Sequence, residues 1–151
     1  MSMNVPFSTT LEVRDTCLCL HTQRAARALA RWFDDALRPF GLTNGQFSLL
    51  MALNRPEPPS IAPVARLLAM DRTTLTAALK PLEKNALIEI IADASDRRSR
   101  LLLLTPKGSD LLAKAVPVWR EMHAKLENNL LNGNGDMLRS LLLSLEHVAL
   151  K

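Results

Sequence analysis

The chain has 151 residues, of which 48% are hydrophobic and 23% charged, which fits one globular domain with a core of its own. No apolar run reaches the roughly 18 residues that a membrane-spanning helix needs, and the first ten residues lack the basic and apolar regions of a secretory signal. The two cysteines, Cys17 and Cys19, stand too close together to staple a core. These features predict a single domain over residues 1–151, soluble in a reducing cytoplasm.

The net charge of +4 is concentrated in the middle of the chain. Residues 61–107 contain eight basic and five acidic side chains, so this segment carries most of the excess. A basic patch on an otherwise balanced chain is typical of a protein that binds a phosphate backbone or another anionic surface. Because many basic faces are simply solvated, charge alone leaves both interpretations open.

Apolar side chains recur at helical spacing over residues 12–40. This pattern predicts one helix of more than twenty residues, which ends at Pro39 and Gly41. Arginines alternate with the apolar stripe, as expected of a helix whose other face meets water.

The next segment predicts two short helices joined by a tight turn. Thr43 and Gln46 have the spacing of a capping box and begin a second helix. Ser60 is the expected N-cap of a third helix and Asp71 that of a fourth. Since few residues separate these last two helices, they form a helix-turn-helix. Asn85 is expected to end the fourth helix in a left-handed conformation.

The fourth helix separates its leucines from its polar residues. Leu75, Leu79 and Leu82 share one stripe, which leaves a cationic, hydroxyl-rich face. The residues of that face are Arg72, Thr73, Thr74, Thr76 and Lys80.

Two short apolar segments, residues 87–91 and 101–104, flank a charged tip and predict a β-hairpin. The tip carries Arg97, Arg98 and Arg100. Helix, turn, helix and a basic hairpin together outline a winged helix-turn-helix lobe over residues 43–107. The predicted fold class is mainly α with a small β-hairpin.

Two more helices are predicted after the hairpin. Thr105 followed by Pro106 is a strong helix start, and this helix is expected to reach about Leu131; a last amphipathic helix begins at Asp136. Residues 12–40 and 106–150 carry more apolar surface than a small winged lobe can cover. They are therefore expected to be dimerisation helices that pair with a second copy.

The physics of this arrangement suits duplex DNA. Arg72 can fork onto guanine in the major groove, threonines offer a hydroxyl and a methyl group, and Lys80 is placed to touch phosphate. The arginines of the hairpin tip can enter a minor groove, whose negative potential attracts guanidinium groups. Two alternatives stay open: that these arginines only solubilise a loop, and that the winged lobe is a protein-interaction adaptor without DNA binding.

Four stretches, residues 43–50, 75–83, 87–88 and 93–108, resemble the MarR family of bacterial transcription regulators. The resemblance covers nearly the whole chain. It implies a homodimer that binds a palindromic operator with one winged lobe per half-site, more often as a repressor, and that an effector releases.

The most specific part of the resemblance is Asp96-x-Arg98 followed by Leu104-Thr105-x-x-Gly108. In the family, the acid at the Asp96 position orients the arginine at the Arg98 position, which enters the minor groove. The chain departs from the family where Asn85-Ala86 replaces the usual glycine after the recognition helix. Pro81 is similar to what the peroxide-sensing branch carries.

The cysteines suggest a redox hypothesis. Cys19 aligns with the reactive cysteine of the organic-hydroperoxide sensors in the family, which implies an oxidant effector. Those sensors hold their thiolate with tyrosines, whereas this chain has no tyrosine and carries Gln23 and Phe33 at the matching positions. The alternative is that Cys17 and Cys19 are two small apolar residues in a dimer interface.

Nothing in the sequence favours an enzyme. His21, His123 and His147 lack metal-ligand spacing, and no phosphate loop, nucleophile elbow or catalytic carboxylate pair is present. A zinc site at Cys17, Cys19 and His21 is disfavoured because helix positions i, i+2 and i+4 do not share a face. We therefore expect no metal and no cofactor.

An effector pocket is the remaining expectation. Family members bind aromatic or lipophilic compounds between the dimerisation helices and the winged lobe, so the resemblance implies a small-molecule partner. The alternative is that each aromatic residue is ordinary core. The candidate residues are Trp32, Phe47, Trp119 and Met122 as lining, with His21, Arg24 or His123 as a polar anchor.

Overall fold

The computed structural model describes residues 4–151, which fold mainly as α-helix with one small antiparallel hairpin. The secondary structure agrees with the predicted fold class. The helices of this range are α1 (Phe7–Thr16), α2 (Leu18–Leu37), α3 (Asn44–Leu53), α4 (Ile61–Leu67), α5 (Arg72–Lys84), α6 (Pro106–Asn128) and α7 (Gly135–Ala149), with β1 (Ile88–Ala92), β2 (Arg100–Leu104) and short 3-10 turns at Arg38–Phe40 and Leu131–Gly133.

The prediction of one unbroken helix over residues 12–40 is wrong at its beginning. The chain breaks at Cys17, whose backbone is extended with ψ 111°. The Cys17 amide closes α1 by donating to the Val13 carbonyl, and its Sγ accepts from the Leu20 amide at 3.4 Å to open α2. The spacing of apolar residues does not reveal this break, because only one residue, Cys17, separates the two helices. The predicted end is confirmed, since Gly41 takes φ 67° after the 3-10 turn.

The core lies in the winged lobe and where α2 and α6 pack on it. Helix α5 contributes a buried stripe of leucines to this core, and residues of α3, α4 and both strands belong to the same cluster. The largest fully buried side chains are Leu37, Leu50, Val64, Leu75, Leu79, Leu82, Ile88 and Leu102.

The expected caps are present at three helix starts. Thr43 and Gln46 form a complete capping box, with Thr43 Oγ1 accepting from the Gln46 amide at 3.2 Å. Asp71 accepts from the Thr74 amide at 2.7 Å. Thr105 accepts from the amide of Gly108 at 3.0 Å. Ser60 precedes α4 as expected but makes no capping bond there.

The backbone of Ser60 instead belongs to the sheet. Strands β1 and β2 pair in antiparallel register from Ile88 opposite Leu104 to Ala92 opposite Arg100. Ser60 forms an isolated antiparallel bridge with Leu101, and the Leu102 amide donates to the Pro59 carbonyl at 2.9 Å. This isolated bridge was not predicted, because a proline-rich segment carries no strand periodicity.

Helix α5, the predicted fourth helix, ends differently from the prediction. Asn85 keeps φ −85°, and Ala86 is the residue that takes the left-handed conformation with φ 58°. The Leu87 amide donates to the Leu82 carbonyl and the Ala86 amide to the Glu83 carbonyl, both at 2.9 Å. These two bonds form a Schellman motif, whose left-handed position immediately follows the C-cap. The sequence placed the turn one residue early because asparagine is the better left-handed residue of the two.

Helix α7 is poorly covered by the rest of the fold. Only Gly135 is buried within it, while Leu138 is 41% and Leu141 62% exposed. Helix α6 ends at Asn128, three residues before the expected Leu131. Arg139 of α7 forms one ion pair with Glu127 of α6 across the turn and a second with Asp136 of its own helix. The apolar excess expected for the last helix is therefore present on its surface.

The left-handed alanine gives a stability prediction. A residue with a Cβ is strained by about 1–2 kcal/mol at positive φ, whereas glycine is not but has more entropy to lose on folding. We expect Ala86→Gly to raise the free energy of unfolding by about 0.5–1 kcal/mol, measured by urea denaturation. The control Ala77→Gly, inside α5, should lower it by about 1 kcal/mol. Equal losses in both variants would contradict the assigned backbone strain.

Candidate nucleic-acid interface

The recognition helix α5 is held by its apolar stripe. Leu75 and Leu79 are 0% exposed and Leu82 is 1% exposed, so this face is buried against the lobe. The opposite face is turned out to solvent. All eight residues predicted to contact DNA are exposed: Arg72, Thr73, Thr74, Thr76, Lys80, Arg97, Arg98 and Arg100.

The three threonines at the start of α5 differ in what their hydroxyl groups already do. Thr74 donates to Asp71 Oδ2 at 2.8 Å, and Thr76 donates to the Arg72 carbonyl at 2.7 Å. The Thr73 side chain has no hydrogen-bond partner in the described residues 4–151. Thr73 is therefore the threonine with both its donor and its acceptor free for a ligand.

Asp71 anchors this end of α5 electrostatically. The backbone amide of Thr74 and then its hydroxyl group hold the pKa of the Asp71 carboxyl below its usual range. An ionised carboxylate here also opposes the partial positive charge of the helix N-terminus. The first turn of α5 is thereby kept ordered next to Arg72 and Thr73.

The tip of the hairpin, called here the wing tip (residues 93–99), is shaped by two aspartates. Asp93 Oδ1 accepts from the Ser95 hydroxyl at 2.7 Å and from its amide at 3.0 Å, which lowers the pKa of Asp93. Asp96 Oδ1 accepts from the backbone amide of Arg98 at 3.0 Å. Asp96 thus positions Arg98 through the main chain, whereas the resemblance implied an acid that orients the arginine itself.

The arginines of the wing do not fold onto acidic side chains. Arg100 donates to the carbonyls of Arg97 and Ser99 at 3.4 and 3.3 Å and so lies along the wing tip. Arg97 and Arg98 have no ion-pair partner within residues 4–151. The ion pairs of that range involve α1, the end of α2, α6 and α7, so the positive charge of α5 and the wing is not neutralised.

The aromatic residues proposed for an effector pocket are partly brought together. Trp119 stacks on His123 with ring centroids 4.8 Å apart and on Phe47 at 6.0 Å. Trp32 Nε1 donates to the Met122 carbonyl at 3.4 Å. His21 and Arg24 are exposed near the start of α2, where His21 Nδ1 bonds the Cys17 carbonyl. Neither residue forms a hydrogen bond or ring contact with this aromatic cluster.

A cavity of about 420 Å³ lies beside this cluster, between α3 and α6. Phe47 and Trp119 are the two predicted residues that line it. Sequence reasoning missed Arg120, the cation of this cavity, although its position next to Trp119 and four residues after Val116 was a usable helical signal. The other lining residues are Ser48, Met51, Ala52, Leu67 and Val116.

Both cysteines are free thiols at the break between α1 and α2. Cys17 is half-buried and Cys19 exposed, and Gln23 Nε2 donates to Cys19 Sγ at 3.3 Å. Among the described residues, no group of three histidines, cysteines or acids is placed to hold a metal ion. Over the same range, no helix is long and apolar enough to cross a membrane.

Comparison with known proteins identifies the family. Residues 42–99 match the MarR family. The transcriptional regulator MosR of M. tuberculosis, in complex with DNA, is 36% identical and superposes with a TM-score of 0.82 over 89% of this chain and 96% of MosR. The chain belongs to the MarR family. The fold of this MarR-family chain is therefore that of the winged helix-turn-helix transcription regulators.

Two other similar proteins extend the comparison. BpsR of Bordetella bronchiseptica, whose DNA binding is regulated by 6-hydroxynicotinic acid, is 25% identical with a TM-score of 0.76, over 85% of this chain and 92% of BpsR. The regulator TtmR of Methylorubrum extorquens is 33% identical over 100 residues, which are 66% of this chain and 51% of TtmR. The matched segments span 43% to 64% of the length of the curated relatives.

Proposed function

We propose that this MarR-family chain is a homodimeric transcription regulator that binds a palindromic duplex DNA operator in the cytoplasm and represses transcription until an effector releases it. The observation that carries the proposal is the set of unpaired cations on α5 and the wing. Arg72, Lys80, Arg97 and Arg98 are exposed and have no acidic partner in residues 4–151. Cations left unneutralised on a recognition helix and its wing suit a phosphate backbone.

Each part of the lobe has a distinct task in this proposal. Arg72 and Thr73 read base edges in the major groove from the start of α5, and Thr76 offers its methyl group and its free lone pair. Lys80, two turns further on, contacts phosphate and adds affinity without sequence preference. Arg98, with its amide held by Asp96, places a guanidinium group in the adjoining minor groove.

The dimer is proposed to form through α1 and α7. Both helices carry exposed apolar residues that the lobe leaves uncovered, including Phe7 at 72% and Leu141 at 62% exposure. An exposed apolar face of this extent favours association with a second copy. A two-fold pair of lobes would match the symmetry of a palindromic site.

The effector is proposed to be an aromatic acid or a related apolar anion. The cavity between α3 and α6 offers an apolar wall of Phe47, Met51 and Trp119 and one cation, Arg120. An apolar site with a single well-placed charge suits such a ligand, and the similarity to BpsR supports this class. Because α6 leads from the lobe to the proposed dimer helices, a ligand against α6 would shift the spacing of the two lobes.

We propose that the chain acts as a regulator and has no catalytic activity.

Removal of the wing arginine tests DNA binding. We expect Arg98→Ala to weaken operator binding by about 1–3 kcal/mol with little change in thermal stability, because the side chain has no partner within the lobe. The measurement is a fluorescence-anisotropy titration of duplex DNA at several salt concentrations. Arg27→Ala on α2 removes the same charge outside the lobe and should leave affinity nearly unchanged. If wild type shows no salt-dependent duplex binding, the chain is an adaptor instead of a DNA-binding regulator.

A charge on one face of α7 tests the dimer. Leu141 and Leu143 are similarly exposed, but they lie about 200° apart around the helix. Leu141 belongs to the apolar face with Leu138 and Val148, and Leu143 does not. We expect Leu141→Asp to dissociate the protein into folded monomers in analytical ultracentrifugation and Leu143→Asp to leave it dimeric. A monomeric wild type would contradict the proposal.

The alternative effector is an oxidant that acts on Cys19. The thiol is exposed at the first turn of α2, and Gln23 donates to its sulfur. A hydroperoxide would convert it to a sulfenic acid with release of the alcohol, and condensation with Cys17 would form a disulfide and water. We expect mild hydroperoxide to lower the DNA affinity of wild type but not of Cys19→Ser. Equal affinity of wild type before and after treatment would remove the oxidant from consideration.

A further inference from the structure

The end of the recognition helix is bonded directly to the beginning of α6. Thr105 Oγ1 donates to the Ala86 carbonyl at 2.7 Å, and the Thr105 amide donates to the Leu87 carbonyl at 3.1 Å. Lys107 Nζ donates to the Asn85 carbonyl at 2.8 Å. We call these contacts the α5–α6 joint. They connect the helix that carries the DNA-contacting residues to the helix that leads to the dimer end.

The joint is also closely packed. A Cβ on Gly108 would lie 2.1 Å from the Leu87 carbonyl oxygen and 2.9 Å from Leu104 Cδ1. Because no side chain fits there, α6 approaches the backbone that follows α5 as closely as the chain allows. Thr105 thus donates to two carbonyls beyond the last turn of α5, those of Ala86 and Leu87. Lys107 donates to a third, the carbonyl of the C-cap residue Asn85.

We infer that Lys107 is a positioning residue for DNA recognition. A lysine at a helix C-terminus satisfies a free carbonyl and opposes the negative end of the helix dipole. Here the lysine belongs to a different helix, so the same bond also holds the direction of α5 relative to α6. Lys107 acts on DNA through the recognition helix and does not need to touch the DNA itself.

The charged groups around Lys107 support this role. Glu83 and Glu89 line the surface depression next to Lys107, and Asp110 lies one turn further along α6. Within residues 4–151 no carboxylate lies within ion-pair distance of Lys107 Nζ, which bonds the Asn85 carbonyl instead. The side chain is thus directed to the end of α5 even though acids are nearby.

The consequence is that the joint holds the end of α5 against the start of α6. A change in the direction of α6, whether from an effector or from the dimer partner, would be transmitted to the bases through the joint. Without Lys107, α5 would remain buried by its leucines but would lose one restraint on its direction. Sequence discrimination would decrease, while the overall attraction to DNA would remain.

The test rests on the proposed DNA binding and uses the full-length chain. A randomised 20-base-pair duplex library is enriched on wild type, and the enriched duplex and a scrambled copy of it are the two probes. Thr105 also caps α6, so its replacement could disturb folding, and Lys107→Met is the cleaner variant. We expect Lys107→Met to reduce the affinity ratio between the two probes by about 2- to 10-fold. Lys107→Arg, which keeps a donor and a charge, should restore most of the ratio.

The matched control is Lys114→Met, two turns further along α6, which removes the same charge and should leave the affinity ratio unchanged. A uniform loss on both probes, with a salt slope reduced by about 1, would show that Lys107 contacts phosphate directly and would overturn the inference. An unchanged ratio with a lower melting temperature would assign Lys107 a purely structural role and overturn it as well. If wild type enriches no sequence, the proposed function fails, and this inference fails with it.

Discussion

Burial of the leucine stripe of α5 is the interaction on which the exposed cationic surface of the lobe depends. Leu75, Leu79 and Leu82 leave no more than 1% of their surface exposed, and each such side chain contributes about 1.5–3 kcal/mol of transfer free energy. Since a helix has only one such stripe, its burial decides which residues point outward. Core packing therefore fixes the orientation of α5 about its own axis. Because the leucines face the core, Arg72 and Thr73 on the opposite side are exposed to solvent.

Polar side chains in the lobe divide into those that shape the backbone and those that are left free. The first group uses its side-chain oxygens in hydrogen bonds to nearby backbone amides, hydroxyls or carbonyls. Its members are Asp71, Asp93, Asp96 and Thr105. Local bonds of this kind keep turns and helix starts in one conformation. The side chain of Arg98, in contrast, has no hydrogen-bond or ion-pair partner within residues 4–151, and a free cation on a held backbone needs little ordering to bind an anion. The acids of the wing thus serve as scaffolding and leave the charge of the arginines available.

The winged lobe and α7 have opposite surfaces. The lobe has a complete core and a cationic exterior, whereas α7 has an apolar exterior and almost no core of its own. Helix α6 connects the lobe to α7, with the α5–α6 joint at its start and the ion pair between Glu127 and Arg139 at its end. The cavity beside Trp119 lies against α6 between these two connections.

The sequence by itself determined the elements of the lobe, because their signals are local. The capping box at Thr43, the cap at Asp71, the leucine stripe and the Thr105-Pro106 start each depend on a few neighbouring residues, and all were found at the predicted positions. The exposed, cationic and hydroxyl-rich face of α5 followed from the same periodicity. The structure decided the break at Cys17 and the left-handed turn at Ala86 instead of Asn85, which apolar periodicity does not show, and the bridge between Ser60 and Leu101, which depends on a distant segment. It also placed Arg120 in the cavity and Lys107 on the end of α5, because such contacts depend on how two helices pack, and a pattern read along one helix contains no information about the other.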